Sequence, residues 1–140
     1  MGVLSELIIG DQKKAERIAK MGMPSKVFEG IDIKGIDTIK LANLNAILSQ
    51  KTYEDFEFMH DPIGSTEGTW VFLIPPDLVA TLASLKSESI AGIALEWGKT
   101  EEFRLEKWPE PLIEQTLSEI CDLASKALAA KRDVLLWMSL

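Results

Sequence analysis

Apolar positions along the chain follow two kinds of spacing. The clearest lies in its last thirty residues, the unit around which the rest is organised. Ile113, Leu117, Ile120, Ala124 and Ala127 recur at steps of four and three, and Leu112, Leu123 and Leu128 widen the stripe. That period lays them along one face of a helix. Pro109 and Pro111 suit its first turn, where a proline gives up no helical hydrogen bond. Asp133 breaks the pattern, and Val134, Leu135, Leu136, Trp137, Met138 and Leu140 form an almost unbroken apolar run. After a turn signal, such a run predicts a strand covered on both faces and placed centrally in a sheet. The helix-then-strand order is half of a βαβ unit, so parallel pairing is expected to be open to it.

The same reading places a first strand near 3–9 and a short helix over 12–20, with Ala15, Ile18 and Ala19 inward. A connector over 25–36 leads to a helix over 37–50. Asp37 is its N-cap, and Ile36, Ile39, Leu44, Ile47 and Leu48 are on its apolar side. Residues 51–69 carry no period. Residues 70–74 make a short strand, stopped by Pro75-Pro76-Asp77, which opens a helix. A further helix carries Ile90, Ile93, Ala94 and Trp97 inward, with Ser87 or Ser89 as its cap. A charged connector over 100–108 follows, with Phe103 and Trp108 as anchors. The fold class is α+β: a small mixed sheet of three to four strands (near 3–9, 70–74 and 133–139) packed with about five helices.

Composition changes this picture little. One domain spanning 1–140 is the natural count for 140 residues. The formal net charge is −7, from 15 basic and 22 acidic groups. Neither half is basic: residues 1–70 carry 8 basic and 11 acidic side chains, and residues 71–140 carry 7 and 11. That balance argues against nucleic acid and against anionic membrane surfaces, and leaves a basic protein partner open. An exposed sheet edge would leave a homodimer open as well. A single cysteine allows no intrachain disulfide. With no signal-peptide pattern and no membrane-length apolar run, the expected location is the cytoplasm.

The candidates for chemistry are few. His60-Asp61 lies in the aperiodic stretch beside Glu54, Asp55, Glu57, Ser65 and Thr66. A histidine beside a carboxylate can act as a general base, although adjacent residues seldom orient one another as a catalytic pair does. With no second histidine, zinc sites built from several histidines are ruled out. Cys121 sits mid-helix beside Asp122, the setting of a buried structural thiol rather than a nucleophile. No nucleophile elbow, glycine-rich phosphate loop or cofactor motif is present. Trp97 and Trp108 flank the acidic connector with Glu101 and Glu102, and such a patch can bind a basic partner.

The order of elements resembles the YfbM-like small bacterial proteins. The resemblance rests on the Met-Gly start with an early strand, the helix over 36–49, the Pro-Asp-Leu-Val helix start at 76–79 and the final helix leading into 134–140. It implies an α+β domain from a bacterium and brings no activity or catalytic residue with it. The function expected is a non-catalytic binding module, for which an immunity- or inhibitor-like role fits the acidic surface, with Trp97, Glu101, Glu102 and Trp108 as its binding residues. The alternative is a small hydrolase or ligand-binding enzyme using His60 and nearby carboxylates.

Overall fold

In a computed structural model, residues 4–33, 35–49 and 61–140 are described. Among them are six α-helices and one five-stranded sheet. The strands are β1 (Leu4–Gly10), β2 (Gly30–Asp32), β3 (Gly64–Thr66), β4 (Thr69–Leu73) and β5 (Asp133–Ser139). The helices are α1 (Ala15–Ala19), α2 (Thr38–Ser49), α3 (Pro76–Ser84), α4 (Ser87–Gly98), α5 (Glu101–Glu106) and α6 (Glu110–Ala130). No helix among the described residues is long and apolar enough to cross a membrane.

The sheet order is β2-β1-β5-β4-β3, so the strand predicted to be central is central. All four pairings are antiparallel, which corrects the expectation of a mixed sheet. The reason is topological. The chain crosses the molecule through α6 and re-enters between β1 and β4, which both run the other way. The strand count rises to five because β2 and β3 are only three residues long and leave almost no periodic signal. Both lie at the sheet's edges, and such short edges offer little to strand-to-strand pairing between copies.

The apolar run of β5 follows from burial on both faces. Val134 and Leu136 join the larger core with Leu7, Ile9, Phe72, Leu117 and Ile120. Leu135 and Trp137 join a smaller core on the other face with Ile8, Ala15, Ile18 and Val71. The sheet thus has α1 on one side and α6, flanked by α3 and α4, on the other. Truncating a fully enclosed residue such as Leu136 to alanine costs about 2–5 kcal/mol.

Polar groups inside the sheet are mostly satisfied. Glu6, buried in β1, accepts from the Ser25 backbone N–H at one carboxylate oxygen and from the Ser25 hydroxyl at the other, both at 2.8 Å. Ser5 donates to the Ile33 carbonyl at 3.0 Å. The Trp137 indole N–H is buried and has no hydrogen-bond partner among the described residues.

Local signals account for several helix starts. Asp37 accepts from the Lys40 backbone N–H at 2.9 Å, as an N-cap does. Prolines take the first turns of α3 and α6. Ser87 and Ser89 do not cap α4: Lys86 holds the cap position and no side chain bonds there. The charged connector over 100–108 is corrected to a helix, α5, which buries Phe103.

Candidate functional site

The predicted binding residues lie where α2, α4 and α5 meet, and in the short link that follows α5. The buried face of α2 keeps Leu44, Ile47 and Leu48 as predicted, with Ile36 just ahead of it, but is wider on one side and narrower on the other. Lys40, Leu41, Ala42, Leu44 and Asn45 are buried, whereas Ile39 is exposed. Lys40 is the cause. Its side chain is 1% exposed, and its ammonium donates to the Gly35 carbonyl at 2.6 Å and to Glu106 Oε2 at 2.8 Å. It also lies over the rings of Phe103 and Trp108, at 5.5 and 5.8 Å from their centroids. An amphipathic pattern scored on apolar residues alone has no place for a lysine drawn inward by a carboxylate, a carbonyl and two aromatic faces.

The predicted patch is therefore divided. Trp97 is 0% exposed and is removed from the surface, a correction to its assignment as a binding residue. Its indole N–H donates to the Lys40 carbonyl at 2.8 Å, and its ring meets Phe103 edge-on at 4.9 Å. Phe103 in turn meets Trp108 at 5.0 Å. These three rings run from the core to the half-buried Trp108. Glu102 accepts from the Asn43 side chain at 2.6 Å, so Asn43 faces α5 rather than solvent. Glu101 is exposed. Glu106 is held at both oxygens, by Lys40 and by the Trp108 indole N–H at 3.1 Å.

Of the predicted catalytic pair, Asp61 is exposed just before β3. His60 and the neighbouring Glu54, Asp55 and Glu57 lie outside the described residues. Within the rest of the aperiodic stretch, β3 and β4 form a hairpin turning at Gly68, where φ is +76°. Cys121 is buried on α6, and its thiol is pushed up to about 11 by burial and by the adjacent negative charge of Asp122. A thiol so protonated is a poor nucleophile.

Sequence reasoning missed three adjoining hollows around the first half of α6. The first, of ≈ 350 Å³, lies between Asp32, Ile33 and Ile36 on one side and Trp108, Leu112, Thr116 and Glu119 on the other. The second, of ≈ 330 Å³, lies between α4 and α6 with Ala91, Leu95, Glu110 and Glu114 on its walls. The third, of ≈ 380 Å³, joins them, sharing Pro111 and Glu114 with the second and Gln115 and Glu119 with the first. Asp32, Glu110, Glu114 and Glu119 supply every charge that the described residues place on these walls. Lys99, Arg104 and Lys107 lie on the same helical layer, but none lines a hollow. Leu95 and Leu112 contribute exposed apolar surface, at 45% and 44%. The signal was present in the polar side of the α6 pattern, where Glu110, Glu114 and Glu119 recur at steps of four and five. No group of three or more histidine, cysteine, aspartate or glutamate side chains among the described residues is placed to hold a metal ion. No protein-family model, curated protein or solved structure matches this chain.

Proposed function

We propose that the protein is an interaction module whose acidic α4–α6 face engages a basic, amphipathic protein segment. The observation that carries this reading is the lining of the three hollows: among the described residues it holds four carboxylates, no cation, and apolar walls formed by Leu95, Leu112 and Trp108. Carboxylates above an apolar floor favour a partner with lysine or arginine heads on aliphatic stems. The series of three connected hollows suits a segment rather than one small molecule, because each hollow has room for about one or two side chains. Glu101 continues the acidic surface onto α5. The Glu106 grip on Trp108 fixes the aromatic wall in place.

The test is titration with a synthetic helical peptide that alternates lysine and leucine. Binding is expected to weaken with salt and to move amide signals of α4, α5 and α6. Charge reversal at Glu114 and Glu119 should remove it. The control Glu16→Lys, an exposed position on the other face of the sheet, should leave it intact. Equal loss in both variants, or retention in both, would overturn the reading.

A further inference from the structure

We infer a second site, for a phosphate group, at the turn from α6 into β5. Here β1 leaves the sheet and β5 enters it, with Gly10 and Asp133 as register partners. A hollow of ≈ 350 Å³ opens there, lined by Gly10, Asp11, Lys14, Lys131, Arg132 and Asp133. It gathers three of the chain's fifteen basic side chains, in a protein whose net charge is −7.

The three cations are not occupied with one another's neighbours. Among the described residues, neither Lys14, Lys131 nor Arg132 forms an ion pair. Each of the hollow's two carboxylates accepts a backbone N–H at one oxygen, and by formal charge the three cations outnumber them by one. Asp11 Oδ1 accepts from Lys13 N and Asp133 Oδ2 from Gln12 N, each at 2.9 Å. The side chains of Lys131 and Arg132 are also not needed to cap α6. Their backbone N–H groups do that, Arg132 bonding the Ala127 carbonyl and Lys131 the Leu128 carbonyl at 3.0 and 3.1 Å. This is a Schellman closure, whose left-handed position ordinarily holds glycine. Lysine stands there instead at φ 56°.

Three cations around a concave surface suit a tetrahedral, doubly charged oxyanion better than a carboxylate. Arginine supplies a planar fork, and the lysines supply point charges from other directions. Because all three side chains are exposed, affinity is in the millimolar range for phosphate alone. The site is independent of the acidic helical face and stands or falls separately from it.

The experiment titrates inorganic phosphate into the full chain at constant ionic strength and follows amide NMR signals. The expected result is saturable movement confined to residues 10–14 and 131–133. Binding should be about tenfold weaker in Lys131→Gly and in Arg132→Gln. Lys131→Gly relieves a left-handed lysine, so its loss of binding comes without loss of fold. Glycerol phosphate serves as a second probe. Tighter binding of the ester would place the phosphate on a larger ligand, and equal binding would make free phosphate sufficient. Either result supports the site. Movement that never saturates, that chloride reproduces, or that both variants retain in full would overturn it.

Discussion

Lys40 and Glu106 meet at 2.8 Å with very unequal exposure: the ammonium side chain is 1% accessible and the carboxylate side chain 47%. The two partners are therefore not equivalent. Removing the negative charge leaves a buried cation facing only neutral acceptors and two ring faces, whereas removing the cation leaves a carboxylate that water can reach. Glu106→Gln is expected to destabilise by about 1–3 kcal/mol, and Lys40→Met by less, since an apolar chain of similar length fits against the Phe103 and Trp108 rings. The double variant should recover most of the Glu106→Gln loss. Urea denaturation of the three variants measures this, and strict additivity would show that the pair is not coupled.

Two helices end on a left-handed lysine, α5 at Lys107 (φ 55°) and α6 at Lys131 (φ 56°). Side chains other than glycine are strained there. Lys107→Gly and Lys131→Gly should each stabilise by about 1 kcal/mol, raising the urea midpoint at unchanged slope.

Cys121 yields a pH prediction with a definite sign. Its thiol is raised from 9.0 to about 11 by burial first and Asp122 second. The folded state therefore holds the proton more tightly than the unfolded state. The resulting stability is fully present below pH 9.0 and is lost as pH rises towards about 11. The loss is on the order of 2 kcal/mol. Cys121→Ala should show a flatter stability profile across that window than the parent chain. At neutral pH the parent thiol should resist iodoacetamide until the protein is unfolded.

Gly64 permits close contact between β3 and α1. A Cβ built there would lie 2.5 Å from the Ala15 carbonyl carbon and oxygen. Backbone cannot yield as a flexible side chain can, so Gly64→Ala should cost about 1–3 kcal/mol. Gly22→Ala, where a Cβ would meet nothing within 4 Å, is the matched control and should be near neutral. Thermal melts of the two variants make the comparison.

The legible parts of this chain were those where one residue class repeats. The α6 stripe and the two-faced β5 run each carry their instruction locally: Ile113, Leu117, Ile120, Leu123, Ala124 and Ala127 are buried as expected, whereas Leu112 and Leu128, expected to widen the stripe, are 44% and 52% exposed. The short strands β2 and β3 could not be read, because three residues hold no period and their pairing is decided by β1 and β4. Around α2 the sequence places Ile36, Leu44, Ile47 and Leu48 correctly but not Ile39 or Lys40, because Lys40 is buried by partners 5 and 66 residues away in sequence. Trp97 has two readings in the sequence, inward on its helix and outward beside the acidic connector; its burial agrees with the first, and its indole N–H bonds the Lys40 carbonyl 57 residues away. The charge totals of the two halves suggested even mixing. Folding instead gathers carboxylates around the front of α6 and cations at its end.

The position of β5 has a kinetic consequence. Its first neighbour, β1, is made at the other end of the sequence, with Leu4 facing Ser139. Until that last strand slots in, the β2-β1 ribbon and the β3-β4 hairpin share no ladder, and each shows a bare inner flank. Closing so long a loop late makes for a slow collapse to the native state. During that delay those open flanks are the surfaces on which a nascent chain is most exposed to clumping with its neighbours.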